Sequence, residues 1–257
     1  MDLIPTSLKI LLYIIVFLYG IIIGSFVNVC ICRIPKKESV VKVRSHCESC
    51  GYQLKWYDLV PLFSYLCLGG KCRKCRAKIS VQHPIIEVLN GFLYILVLSV
   101  CGLSIESLLY CLAGSALLAL SVIDFRTYEI PVGFNIFIGA LGMVRVITDY
   151  TNWSLYLIGF VAVSAFLYVL YIISKGRAIG GGDIKLMAVC GLLLGWKLII
   201  LAFFIGCIMG SVIHVIRMKV SGEEHVLAMG PYLSMGVMTA ALWGNTFLNW
   251  YLDSMGL

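Results

Sequence analysis

Asp124 and Asp183 each stand at the edge of a long apolar segment, in Ile123-Asp124-Phe125-Arg126 and Gly180-Gly181-Gly182-Asp183-Ile184. A carboxylate in such a place is costly to desolvate and usually serves a function. Two that meet across helices can share one proton. The ionised one then activates a water while the protonated one acts as an acid. The chemistry within reach is aspartyl proteolysis at a membrane. Gly180, Gly181 and Gly182 permit unusual backbone and the close approach of a peptide strand. A helix starting nearby would favour the charged form of Asp183. Either aspartate alone also reads as a helix cap, with Asp124 free to pair with Arg126. Chemistry requires both residues at one face.

Four of the eleven cysteines form a second constellation, Cys47-x2-Cys50-x21-Cys72-x2-Cys75. Two such knuckles supply four thiolates for tetrahedral zinc, and four protein ligands leave no open position, so that zinc is structural. Arg44, Lys71, Arg73, Lys74 and Arg76 favour thiolate over thiol. A reducing cytoplasm argues against two disulfides. The other seven cysteines lie in or beside apolar stretches, where cysteine behaves as a small hydrophobe. His46, His83, His214 and His225 have no ligand spacing and are assigned no chemistry.

The elements that must hold these residues are membrane helices. The 257 residues are 61% apolar and 13% charged, against about 25% charged in a soluble domain. Eight apolar spans are expected, at about 8–31, 85–101, 106–123, 132–148, 153–173, 184–196, 198–216 and 226–247. The sixth is short, which fits a tilted or re-entrant segment buried in protein. The first continues as a full span without a small-residue cleavage site, so it reads as a retained helix rather than a signal peptide. The net charge of +7 is concentrated: residues 33–83 carry eleven of the twenty Lys and Arg against three acids. That loop is therefore expected in the cytoplasm. Counting onward puts Asp124 and Asp183 at the same cytoplasmic face, two crossings apart. The apolar 52–70 segment argues against nucleic acid as the partner and is expected to pack on the membrane or on the helical body; the basic residues of the loop are expected to contact anionic lipid headgroups.

The fold class expected is an all-α polytopic membrane protein, with about eight transmembrane helices and a small cytoplasmic zinc-ribbon-like insert. Its parts would be a first span (1–32), the four-cysteine insert (33–83) and a seven-span body (84–257) carrying the aspartates. Gly20-x3-Gly24 and Gly206-x3-Gly210 read as close helix contacts. Ser25 and Asn28 are polar groups near the end of the first span, read either as interhelical hydrogen bonds or as the lining of a substrate path; Glu87, at the start of the second span, reads either as a functional acid or as a residue sitting harmlessly at the interface.

The ordered set resembles the type IV prepilin peptidases. The matching residues are Gly24-Ser25-Phe26-Val27-Asn28-Val29 with Arg33 and Pro35, the two cysteine pairs, and Pro84-Ile85-Ile86-Glu87 with Gly91. Asp124 with Ile130-Pro131, Gly180 to Leu186, and Gly230-Pro231 complete it. The resemblance implies a bacterial inner-membrane enzyme that removes a short basic leader from prepilins and pseudopilins. It would cut after a glycine at the cytoplasmic face, with Asp124 and Asp183 as the catalytic pair. It further implies methylation of the new N-terminal amine by S-adenosylmethionine, for which the sequence assigns no residues. The Gly-Gly-Gly-Asp run follows no βαβ pattern, so it is not a dinucleotide loop.

Three other readings compete. A different intramembrane protease of the Gly-x-Gly-Asp type leaves the cysteine insert unexplained. A proton- or cation-coupled transporter would more often show two related halves. A helical scaffold gives the paired acids no role.

Overall fold

Helices take up all eight apolar segments. The computed structural model describes residues 5–177, 179–221 and 227–255. His225 and residue 226, where the eighth span is expected to begin, lie outside them. The helices are α1 (Thr6–Arg33), α2 (Phe63–Cys67), α3 (Gln82–Cys101), α4 (Ile105–Thr127), α5 (Val132–Thr148), α6 (Trp153–Ile173), α7 (Gly181–Leu194), α8 (Trp196–Ser221) and α9 (Gly230–Met255). Among the described residues there is no β-strand, only isolated bridges at His46–Gln53 and Lys71–Lys78. The chain is an all-α polytopic membrane protein. Among the described residues, five helices are long and apolar enough to cross a bilayer, and α5 is a shorter apolar helix.

Local signals set the boundaries. Gly102 ends α3 with a positive φ of 69°, a conformation that favours glycine. Ser104 then caps α4 by accepting the Ser107 N–H at 3.0 Å, one of the orphan donors of a helix start. Gly195, at φ 84°, separates α7 from α8.

Packing divides the chain into two compact units, Met1–Leu103 and Ser104–Leu257. In the first, α1 lies against α3 with glycine at the crossing. A Cβ on Gly20 would stand 2.7 Å from the Gly91 Cα, and one on Gly24 would stand 2.8 Å from the Glu87 Cα. The buried Asn90 amide donates to the Gly20 carbonyl at 2.7 Å. Small residues therefore permit backbone contact and a polar side chain secures it, as in other membrane helix pairs.

In the second unit α7 packs against α5, α6, α8 and α9. It has 14 residues, about 21 Å at 1.5 Å per residue, short of a hydrocarbon core of about 30 Å. Protein covers most of it: Leu186, Met187, Ala188, Cys190, Leu192, Leu193 and Leu194 are all buried. Gly191 and Gly159 bring the backbones of α7 and α6 into direct contact. The Gly206 pairing expected from sequence is also present, since a Cβ there would lie 3.1 Å from the Leu233 Cα of α9.

Candidate active site

Asp124 occupies the last turn of α4, and its side chain is buried at 5% exposure. Its carbonyl accepts the Tyr128 N–H at 2.8 Å. Tyr128 takes a left-handed φ of 55°, which ends the helix and sends the chain through Ile130 and Pro131 into α5. The carboxylate Oδ2 accepts the Gly230 N–H at 2.9 Å. Gly230 is the first residue of α9, so this N–H has no partner within its own helix. A buried carboxylate thus gains a donor and an oriented helix terminus.

Asp183 is the third residue of α7, after Gly181 and Gly182, with Gly180 as the N-cap. Its N–H donates to the Gly180 carbonyl at 3.2 Å, and its Oδ2 would be 3.1 Å from a Cβ on Gly180. Gly182 packs on the turn that leaves Asp124, for a Cβ there would meet the Ile130 Cβ at 3.0 Å. Gly181 faces open space, with nothing within 4 Å of its Cβ position. The end of α4 and the starts of α5, α7 and α9 therefore converge on one site.

Both carboxylates stand at helix starts, Asp124 at that of α9 and Asp183 at that of α7. Gly180, not Asp183, is the N-cap of α7. The Asp124 side chain bonds the start of α9 rather than closing its own helix. The part played by Gly230 escaped the sequence reading. Gly230-Pro231 stood out as a motif, but nothing in it shows that its amide meets a carboxylate 106 residues away. Asn135 of α5 was also missed. It is buried, and neither amide atom has a hydrogen-bond partner among the described protein groups. It precedes Gly139 by one helical turn, on the face that meets Val189 of α7.

The cysteines build a separate site in the first unit. The Sγ atoms of Cys47, Cys50, Cys72 and Cys75 all lie within 4.8 Å of one another. Cys47 Sγ and Cys75 Sγ are 3.8 Å apart. A tetrahedron of sulfurs about 2.3 Å from a zinc has edges of about 3.8 Å, so the donors and their spacing fit that ion. The two knuckles are built alike. The Cys47 N–H bonds the Tyr52 carbonyl at 2.9 Å, and the Cys72 N–H bonds that of Ala77 at 2.8 Å. Gly51 and Arg76, each one residue past the second cysteine, share a positive φ, 68° and 60°. The backbone N–H groups of Ser49 and Cys50 hold the Cys47 thiol down at about 6. The Ala77 N–H favours the Cys75 thiolate, but the neighbouring sulfurs outweigh it and push Cys75 up to about 11. A metal held here would take all four sulfurs as thiolates and release their protons. The cluster can bind a metal ion.

The polar residues of the first spans support the insert. Glu87 accepts the Leu62 N–H at 2.7 Å. Asn28 donates to the His83 carbonyl at 3.0 Å, and Arg33 donates to that of Val43 at 2.7 Å.

Comparison with known proteins agrees with this layout. Residues 18–101 match the Bacterial Peptidase A24 N-terminal domain, and residues 111–215 match the Type IV leader peptidase family. A Prepilin leader peptidase/N-methyltransferase of Bacillus subtilis is 32% identical over 241 residues, covering 93% of this chain and 97% of its own. The chain belongs to the type IV leader peptidase family. Relatives of the same name occur in Myxococcus xanthus, 31% identical over 80% of this chain and 63% of its own, and in Pseudomonas aeruginosa, 26% identical over 93% of each. No solved structure matches the chain. Asp124 and Asp183 both fall in the segment matched to the leader peptidase family, and the four cysteines fall in the N-terminal match. Gly230 lies beyond both.

Proposed function

We propose that this protein is an aspartyl endopeptidase of the bacterial inner membrane, with Asp124 and Asp183 as its catalytic pair. It removes the basic leader of prepilins and pseudopilins after a glycine, at the cytoplasmic face. The observation that carries the reading is that Asp124 ends α4 and Asp183 begins α7 within one helical unit, with Gly182 packed on the Ile130 turn that leaves Asp124.

In this mechanism a water lies between the two carboxyl groups. The ionised one removes a proton from the water as its oxygen attacks the scissile carbonyl. The protonated one hydrogen-bonds to that carbonyl oxygen and stabilises the charge that develops. Collapse of the tetrahedral intermediate breaks the C–N bond, and the leaving amine takes up a proton. The open side of Gly181 admits an extended peptide, and Gly230 holds the Asp124 carboxylate in place.

The compositional parts keep distinct roles in this reading. Residues 1–32 anchor, 33–83 form a structural zinc insert on Cys47, Cys50, Cys72 and Cys75, and 84–257 carry the dyad. Membrane lipids surround the spans. The shared name of the relatives supports a second activity, methylation of the new N-terminal amine. S-adenosylmethionine would supply the methyl group, and no residue is assigned to hold it.

The test is incubation of the purified protein in lipid with a prepilin, with and without S-adenosylmethionine. Mass spectrometry should show loss of the leader after glycine, and one added methyl when the cofactor is present. Prepilins left uncut across several substrates would overturn the reading.

A further inference from the structure

The Leu62 N–H donates to the Glu87 carboxylate at 2.7 Å. Glu87 is the sixth residue of α3, about 7.5 Å along the helix from its start at 1.5 Å per residue. The helix has 20 residues, a length of about 30 Å, which matches the hydrocarbon core of a bilayer with nothing to spare. A spanning α3 therefore starts at the headgroup boundary and places Glu87 about 7.5 Å below it, within the depth of about 5–10 Å to which interfacial amphipathic segments bury their apolar side. The hydrogen bond brings Leu62 to the same depth.

The segment around Leu62 is unlike the rest of the insert. Trp56, Leu59, Val60, Phe63 and Leu66 are all exposed, at 80%, 46%, 39%, 58% and 65%. An insert surrounded by water would gain by burying such side chains. Leu62 itself is held in the left-handed region at φ 61°, where leucine is rarely found. That strained conformation accompanies the bond to Glu87. Lys55 precedes the segment and Lys71 follows it, while Arg73 is ion-paired to Asp58 at 2.8 Å and is not one of the flanking cations. Aromatic and aliphatic side chains fringed by cations characterise a segment lying in a membrane interface.

We infer that residues 56–66 form an interfacial wedge that seats the four-cysteine insert in the lipid boundary beside α3. Its partner is the bilayer itself: acyl-chain ends for Trp56, Phe63 and Leu66, and headgroup phosphates for the flanking cations. The inference requires α3 to span the membrane and is independent of what the enzyme cleaves.

The experiment places the full-length protein in lipid nanodiscs and compares its tryptophan emission with that of Trp56→Phe. Subtraction isolates Trp56 from the other four tryptophans. Lipids brominated near the headgroup end of the acyl chain should quench the Trp56 component more than lipids brominated near the methyl end. Its emission should also be blue-shifted and resist aqueous acrylamide. Quenching by acrylamide and not by brominated lipid would overturn the inference. Protection from both quenchers would overturn it equally, because the occupant would then be protein. A parallel Phe63→Trp protein in the Trp56→Phe background must give the same depth.

Discussion

The Gly230 N–H points at Oδ2 of Asp124, 2.9 Å away, and the glycine leaves no room for a side chain there. A Cβ at Gly230 would lie 2.7 Å from that oxygen and 3.0 Å from Cγ. Gly230→Ala must therefore push the carboxylate aside or tilt the start of α9. Misplacing a catalytic group by about 1 Å costs up to about 100-fold. The expected result is a 10- to 100-fold loss of leader removal, on the order that misplacement gives. Gly181→Ala, where a Cβ meets nothing within 4 Å, should keep the thermal midpoint of wild type. Initial rates and melting curves of both variants check this.

The dyad makes a sharper demand. Asp124→Asn and Asp183→Asn keep shape and remove only ionisation, so each should lower leader removal by roughly 10³-fold or more. Because one group must be charged and the other protonated, wild-type activity should follow a bell-shaped pH profile. Its two limbs belong to the pair rather than to either residue. A rate that survives in both variants would return the aspartates to structural roles.

The sequence revealed this fold well because a membrane helix must be apolar along its whole length. Each of the eight expected spans has its helix, and the 132–148 span matches α5 to the residue. The short sixth span is a buried helix because neighbouring helices supply the cover that lipid would otherwise give. The cysteine site was legible because two knuckles of fixed spacing close locally. The dyad was half legible. Each aspartate shows itself by its position at a span end, but the neighbours each one gains depend on how α4, α5, α7 and α9 pack. Gly230 and Asn135 stayed hidden for the same reason, since a glycine amide and a buried carboxamide acquire meaning only from their neighbours.

The position of Asp183 depends on the seam between α6 and α7. A Cβ on Gly191 would collide with the backbone carbonyl of Gly159. Gly191→Ala should therefore force the helices apart at an overpacking cost of about 1–3 kcal/mol. The melting midpoint should fall, and cleavage should fall with it as Asp183 shifts. Gly133→Ala, with nothing within 4 Å of its Cβ position, serves as the control and should melt like wild type.

The cysteine cluster predicts a stoichiometry. Protein purified without chelator should carry one zinc per chain by elemental analysis, because four thiolates close a single tetrahedral site. Cys47→Ser, Cys50→Ser, Cys72→Ser or Cys75→Ser should each remove it, while Cys67→Ser, outside the four-sulfur cluster, should leave it in place. Metal binding here stabilises the folded knuckles directly. A strong chelator should therefore expose residues 44–80 to protease while α4 to α9, which belong to the other compact unit, stay protected. Zinc retained by the Cys72→Ser protein would overturn the assignment, since Cys72 is the buried member of the four and no water can easily take its place.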